Sequence, residues 1–375
     1  MNTARIRRIV QKTGITKRQG IIFCAVMLSF LLFWLCTNSR SVCNAVTFCT
    51  DWLKWGLAHL CALVSFSVTE LVIVLAVLAV IVCFIRLVRR AKKNKGRRIA
   101  VMINGIFSAV LAVLIGVSAF DWMYGVNYYE SSLQEKLGIY ARPVSADELY
   151  KTASYFLTQA NETAALIPRD STGDLLLSPQ AIAAMSTDAY APLFSKYEVL
   201  RTPLTVPKVL VLSKGLSYLN CTGFFFPYLG ESNINGDVPK TTIPSTAMHE
   251  LAHQMGVASE QEANFLAVLG CVESGIDAFS YSGWQMGLIH LTNALYRADQ
   301  TLWESLMHEM STQVRDDLVR INTYWAPFDT PVGDAANAIN NDRLSHYGQD
   351  LTTQSYGAVV DLLVVYFSEV VDSAA

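Results

Sequence analysis

Three long apolar runs dominate the first third of the chain. They occupy residues 19–39, 68–88 and 99–120, and the apolar side chains in each run are nearly uninterrupted. A helix needs about 20 apolar residues to cross the hydrocarbon core of a bilayer. The pattern therefore predicts three transmembrane helices within residues 1–120, and it makes the lipid bilayer the first expected partner of the chain.

After residue 120 the apolar residues recur at helical spacing between polar ones. This pattern predicts a mainly α domain over residues 121–375, with a small β element in the run GFFFPYLGESNING. Residues 230–235 of this run fit either an edge strand that pairs with an extended peptide or a plain hairpin. The final apolar run is short and contains Asp361, so it predicts a core helix. Helices are expected near residues 145–167, 179–197, 245–255, 260–272, 284–298, 299–321 and 356–371.

The charges divide sharply between these two parts of the chain. Residues 1–120 carry 16 Lys and Arg against two acids, whereas residues 121–375 carry 13 against 29. So acidic a domain argues against nucleic acid as a partner, because phosphate contacts need clustered cations. Basic clusters at residues 5–18 and 86–98 are expected in the cytoplasm by the positive-inside rule. The sequence thus predicts a multi-pass protein of the cell membrane whose C-terminal domain is extracytoplasmic.

The segment between the first two runs, residues 55–69, is apolar enough to suggest a further span. A span there would move the basic cluster at residues 86–98 to the outside, against the positive-inside rule. We therefore expect an interfacial or packed helix at this position, with Trp52 and Trp55 near the lipid headgroups.

The segment HELAHQMGVASEQEANF, residues 249–265, concentrates two histidines, three glutamates and an asparagine. His249 and His253 are four residues apart, so on a helix both can offer an imidazole nitrogen to one Zn²⁺. Glu250 lies beside them, where it can accept a proton from a zinc-activated water. The segment therefore predicts a catalytic zinc site with Glu250 as the general base.

A catalytic zinc site needs a third protein ligand, and Glu260 and Glu262 are the nearest candidates. Ser259 is a natural N-cap for a second helix, on which Glu260 shares a face with Ala263 and Asn264. Asn264 is a candidate partner that orients a ligand histidine by a hydrogen bond. The residues alone leave both glutamates open as the third ligand.

Two side chains further along the chain are weaker candidates. Tyr281 can donate a hydrogen bond to the oxyanion of a tetrahedral intermediate, although a packing role is the commoner one for such a tyrosine. His290 can do the same or can orient a ligand. Cys221 and Cys271 of the acidic domain fit either a disulfide or two buried free thiols.

Four blocks in this order, GFFFPYLGESNIN, HELAHQMG, EQEANF and YSGW, resemble the bacterial membrane-anchored, zincin-like family called domain of unknown function 3810. The order H-E-x-x-H, then E-x-x-A-N, is also similar to gluzincin metallopeptidases, and this resemblance implies Glu260 as the third ligand. It further implies a peptide or protein substrate. Two features depart from the gluzincin pattern: only six residues separate His253 from Glu260, and Asn264 stands where Asp is commoner. Glu262 therefore remains an alternative ligand.

Other interpretations compete with an active zinc peptidase. The histidines can be packed core residues beside solvated glutamates, or the domain can be a catalytically inactive zincin-like sensor or scaffold. A third interpretation is a lysozyme-like transglycosylase with Glu273 as its acid, to which the surrounding residues match poorly. Bound zinc without any peptide hydrolysis favours the sensor.

Fusion reporters test the expected topology. A reporter that is active only outside the cytoplasm should be active after Ala375 and inactive near Lys95, because the basic cluster around Lys95 is expected inside. Reporter protein levels measured in the same cells control for expression. Activity on the same side of the membrane at both positions would contradict the three-span arrangement.

Overall fold

The structure is a computed structural model that describes residues 13–347 and 357–374. The basic residues between positions 5 and 12 and position 356 of the last expected helix lie outside the described residues. Helices form most of the described chain, which confirms the mainly α prediction. The helices are α1 (Lys17–Thr37), α2 (Arg40–Cys61), α3 (Val68–Lys93), α4 (Arg98–Met123), α5 (Leu133–Leu137), α6 (Ala146–Ala164), α7 (Pro179–Ala189), α8 (Ala191–Lys196), α9 (Ser213–Ser217), α10 (Ile243–Gln254), α11 (Glu260–Val272), α12 (Asp277–Ala298), α13 (Gln300–His308), α14 (Thr312–Trp325), α15 (Pro331–His346) and α16 (Ala358–Ala374); the strands are β1 (Lys208–Val209), β2 (Gly223–Phe226) and β3 (Glu231–Ile234).

The chain divides into two compact units. The first unit comprises Met1–Thr50 and Val68–Glu130, and the second comprises Asp51–Ser67 and Ser131–Ala375. The short segment between the first two apolar runs is therefore part of the second unit, although it lies far from the rest of that unit in sequence. The functional boundary expected near residue 120 stays a prediction.

The first unit contains three helices that are long and apolar enough to cross a membrane, as the sequence predicted. They are α1, α3 and α4, the last extended by a 3-10 turn at Lys95–Arg97. Most of their side chains face outward, as lipid contact requires. Between α1 and α4, Ser29 and Ser118 share a hydrogen bond of 2.8 Å, and Trp122 donates to Ser29. Such polar contacts are a common way for spans to associate.

The core of the second unit is built on α6, α12 and α16. Phe156 of α6 lies edge-on to Trp284 of α12, with ring centroids 4.9 Å apart, and equally to Phe367 of α16 at 5.0 Å. A Cβ at Gly287 would collide with the Phe156 ring, so α12 needs a glycine where the aromatic side chain enters. The last apolar run is therefore a core helix, with Leu362 and Leu363 fully buried.

A three-stranded sheet lies against α10 in the second unit, in the order β1-β3-β2. Strand β3 pairs in parallel with β1 and antiparallel with β2, so that Phe224 faces Asn233 and Phe226 faces Glu231. The edge-strand interpretation of residues 230–235 is therefore wrong, because β3 is the central strand. The hairpin interpretation is correct, and the edge strands of this sheet are β1 and β2.

Two expected helices are interrupted. The region at 299–321 forms α13 and α14, because Ser311 caps a new helix by accepting a hydrogen bond from Val314 N–H. The region at 179–197 is divided between α7 and α8 at Tyr190. Helix α15 was not predicted, since its only buried residue is Gly333 and it has no apolar stripe to reveal it.

A buried ion pair fixes α14 to the rest of the second unit. Arg169 donates to both carboxylate oxygens of Asp317 at 2.9 and 2.8 Å, and the Tyr281 hydroxyl donates to the same carboxylate. Asp317 is only 1% exposed. The pair therefore depends on both partners, because either charge alone would be buried without compensation.

Asp317→Ala should lower the free energy of unfolding by about 3–5 kcal/mol, the usual cost of removing one partner of a buried pair. The adjacent Asp316 is exposed and provides the matched control, and Asp316→Ala should change stability by less than about 0.5 kcal/mol. Urea unfolding of the full chain in detergent, followed by tryptophan fluorescence, measures both values. Equal effects would show that the pair contributes nothing specific.

Candidate metal centre

Helix α10 carries the two histidines through the interior of the second unit. Pro244 occupies its first turn, and of its twelve residues all but His249 are buried. Residues four apart lie on the same face of a helix. The rings of His249 and His253 accordingly lie edge to face, with centroids 4.6 Å apart. The helix thus presents two imidazoles side by side from an otherwise buried element.

The end of α10 fixes the orientation of His253. Gly256 adopts a positive φ of 91°, and the N–H groups of Gly256 and Val257 donate to the carbonyls of His253 and Ala252. This is the Schellman arrangement, which favours glycine at the left-handed position. It turns the Val257 carbonyl back toward the helix, where it accepts a hydrogen bond from His253 Nδ1 at 2.7 Å. In the neutral ring this bond keeps the proton on Nδ1, so that the lone pair of Nε2 can bind a metal ion.

Helix α11 supplies the third member of the set. Its N-cap is Ser259, as predicted, and Glu260 is its first residue. Glu260 Oε2 lies 3.2 Å from His249 Nε2 and 3.5 Å from His253 Nε2. Burial alone would raise the pKa of Glu260, but the attraction of His253 and the hydrogen bonds from both histidines hold it well below its usual value. The structure therefore brings His249, His253 and Glu260 together.

These distances fit a tetrahedral metal ion. Ligand atoms about 2.0–2.1 Å from a zinc ion lie roughly 3.3 Å from one another in a tetrahedron. The two distances from Glu260 Oε2, 3.2 and 3.5 Å, bracket this separation. Two imidazole nitrogens and one carboxylate oxygen are also donors that zinc accepts in catalytic sites.

Glu262, the alternative ligand, lies in a different environment. Its carboxylate accepts hydrogen bonds from Leu133 N–H at 3.0 Å, from Gln134 N–H at 3.4 Å and from the Gln134 side chain at 3.2 Å. These are the first N–H groups of α5, which have no partner within that helix. Glu262 therefore accepts hydrogen bonds from the N–H groups at the start of α5, and its negative charge interacts favourably with the positive end of the dipole of this helix. Glu260 faces the histidines instead.

Glu250 lies next to the ligand set in a nearly closed space. It is 3% exposed, and its Oε2 atom has no hydrogen-bond partner among the described residues. Burial raises the pKa of Glu250 to about 8; the charge on His249 and the Phe225 backbone N–H lower it, and Glu260 raises it. A carboxyl group with a pKa near neutrality can both accept and release a proton.

The outer edge of β2, on the side away from β3, borders Glu250. Asn235 N–H donates to Thr222 O, so Thr222 and Asn235 form a hydrogen-bonded pair. Along antiparallel strands, hydrogen-bonded pairs alternate with pairs that are not hydrogen-bonded to each other. Gly223 and Phe225 are consequently non-bonded positions whose N–H and C=O groups point away from β3. A Cβ at Gly223 would lie 2.8 Å from Glu250 Oε1, so the glycine leaves room for this carboxylate.

Cys221 and His290 complete the surroundings of the site. The Cys221 thiol donates to the Gly223 carbonyl at 2.9 Å, and burial together with the charge on Glu250 raises its pKa to about 12. Burial and the nearby charge of His249 lower the pKa of His290 to about 4. Both groups are therefore neutral at physiological pH. Cys221 and Cys271 are free thiols in this structure.

Two predicted side chains make other contacts. The Tyr281 hydroxyl is fully buried and bonds to Asp317 and Gln285, which gives it a role in the core. Asn264 is partly exposed and makes no hydrogen bond to either ligand histidine. The orienting contact on His253 instead comes from the Val257 carbonyl. The predicted catalytic role of Tyr281 stays a prediction that these contacts do not support.

Arg343 is a functional candidate that sequence patterns did not indicate. It extends from α15, and its Nη2 lies 3.3 Å from Glu260 Oε1, the oxygen that does not face the histidines. The guanidinium can thus hold Glu260 with Oε2 directed at the ligand set. Glu273, the acid of the transglycosylase interpretation, is instead paired with Lys196 at 2.8 Å.

The sequence matches the family described as "Protein of unknown function (DUF3810)" over residues 47–364, which includes all of the site. No curated protein and no solved structure matches the chain. The match confirms the family named from the four sequence blocks, whereas the zincin-like, gluzincin character expected of it stays a prediction.

Exchange of each glutamate separates the two ligand assignments. Glu260→Gln should strongly reduce bound zinc, because it removes the carboxylate whose oxygen lies beside both histidines. Glu262→Gln should keep zinc and instead lower thermal stability, since it weakens the cap on α5. Elemental analysis of each variant after dialysis against a weak chelator gives the zinc content. Retention of zinc by Glu260→Gln, or its loss from Glu262→Gln, would contradict the assignment.

Proposed function

We propose that this chain, which belongs to the DUF3810 family, is a membrane-anchored zinc metallopeptidase that hydrolyses peptide bonds in peptide or protein substrates. The observation that supports the proposal most is the convergence of His249, His253 and Glu260, with the buried Glu250 beside them. Two helices of fixed geometry carry all four side chains. Such a set has a direct use in hydrolysis, and three membrane-crossing helices provide the anchor.

His249, His253 and Glu260 would hold the zinc ion. When bound, zinc would supply Lewis-acid chemistry that polarises a substrate carbonyl and makes a water more acidic. The hydrogen bond to the Val257 carbonyl keeps the His253 ring in one tautomer and one orientation. Arg343 restrains Glu260 from the opposite side. These contacts prepare the ligand set before a metal ion arrives.

Glu250 is the proposed general base. It occupies the position beside the ligand histidines, and its Oε2 has no hydrogen-bond partner within residues 13–347 and 357–374. This oxygen would accept the proton of the attacking water and then deliver it to the nitrogen of the leaving amine. The Phe225 N–H fixes the carboxylate without neutralising it. His290, held as a neutral imidazole, can donate a hydrogen bond where negative charge develops.

The outer edge of β2, on the side away from β3, is the proposed place for an extended peptide. Gly223 and Phe225 direct backbone donors and acceptors to this side, from which a peptide strand would approach the sheet. A peptide on this edge would lie next to Glu250. This arrangement supports a polypeptide substrate over a small molecule.

Glu250→Gln should keep near-stoichiometric zinc and normal folding while turnover falls by at least about 100-fold, the lower end of what a positioned general base contributes. His249→Ala should lose zinc and activity together, because it removes a ligand. The matched control is Glu304→Gln, an exposed glutamate of α13 that should leave both quantities unchanged. Cleavage of a peptide library by the full chain, with zinc measured in the same samples, tests all four proteins.

Two results would contradict the proposal. Wild-type protein that holds zinc and cleaves no peptide would favour the inactive sensor or scaffold. Glu250→Gln with wild-type turnover would show that another group accepts the proton.

A further inference from the structure

Residues 51–67 present an exposed apolar surface on the second unit. Trp52, Leu60 and Leu63 are 59%, 64% and 81% exposed. The first two lie eight residues apart on one side of α2, and Leu63 follows in the turn after the end of this helix. Phe66 adds a further exposed ring at 49%. No Lys, Arg, Asp or Glu is exposed between residues 52 and 66.

The opposite side of this segment is built into the second unit. Lys54 is 1% exposed and pairs with Asp51 at 2.8 Å. Ser67 donates to the Asn233 side chain on β3 at 2.6 Å, and Lys208 of β1 donates to the Val64 carbonyl. The segment is thus held in place by the sheet, and its apolar surface has a fixed position.

A second exposed apolar pair follows β1 directly. Val211 and Leu212 are 82% and 59% exposed, and they come three and four residues after Lys208, whose side chain binds the Val64 carbonyl. The turn that carries them is fixed, because Ser213 donates to the Leu210 carbonyl and accepts from Gly236 N–H. Both apolar sets therefore belong to the second unit, and the contact of Lys208 with the Val64 carbonyl links the two segments that carry them.

The position of this surface in the chain indicates its occupant. Phe66 stands two residues before Val68, where the apolar helix α3 begins, and two residues of extended chain reach about 7 Å at most. Large apolar patches are rare on surfaces that face water, and tryptophan is enriched where a membrane meets water. The lack of exposed charge also argues against a partner bound by ion pairs.

We infer that residues 51–66 and Val211–Leu212 form a membrane-docking face, which inserts into the leaflet from which α3 starts. The occupant is the lipid bilayer. Docking restrains the second unit at the membrane surface through a contact of its own, in addition to its covalent links to the spans. The inference is independent of any activity at the metal centre.

Photo-crosslinking tests this face in the full chain. A diazirine amino acid is placed at Leu63 or Leu212, and the protein is reconstituted in nanodiscs of phosphatidylethanolamine and phosphatidylglycerol. Val319 and Ile339, apolar positions that are 57% and 72% exposed on α14 and α15, provide the matched controls. After illumination, mass spectrometry should find lipid adducts at Leu63 and Leu212 in several-fold excess over both controls.

Leu212 is the decisive position. Leu63 is close to α3 in sequence, so it can contact lipid even if Val211 and Leu212 do not. Lipid adducts at Leu63, with none above the control level at Leu212, would overturn the proposal that both segments form the membrane-docking face. A Leu212 cross-link to a second copy of the chain, in place of lipid, would overturn it in favour of a dimer interface.

Discussion

The hydrogen bond from His253 Nδ1 to the Val257 carbonyl is the interaction on which the candidate metal centre depends. It exists because α10 ends in a left-handed turn at Gly256, a conformation that costs other residues about 1–2 kcal/mol. The same turn separates α10 from Ser259, which starts α11 and places Glu260 opposite the histidines. One glycine thus determines both the ring orientation and the short link between the two ligand helices.

The sequence was sufficient to predict the residues whose roles follow from helical spacing. The i, i+4 histidines, the acid between them and the N-cap at Ser259 are local patterns, and the structure brings His249, His253 and Glu260 together as those patterns suggested. The orienting carbonyl and the Phe225 N–H are backbone groups, and no residue type reveals them. Arg343 is 83 residues from Glu260, so its contact depends on the tertiary fold.

The same distinction explains which parts of the fold were predictable. The three membrane-length helices are long apolar runs and α16 is a shorter one, so that composition and length predict lipid contact for the former and burial for the latter. The order of the strands could not be predicted in this way. The parallel partner of β3 is β1, which has two residues and is too short to give a sequence pattern. Helix α15 was missed because it buries only Gly333, so its apolar side chains form no buried stripe that a sequence pattern could reveal.

Two buried polar atoms at the candidate metal centre lower the stability of the second unit. Glu250 Oε2 and His249 Nδ1 are both buried without a hydrogen-bond partner in the described part of the chain. A buried polar atom without a partner costs about 1–3 kcal/mol, and residues selected for stability alone would be apolar here. The unit retains a carboxyl group at this position and leaves space for it at Gly223. The binding or catalytic role that we propose would account for this arrangement, because a ligand or substrate can supply the missing partners.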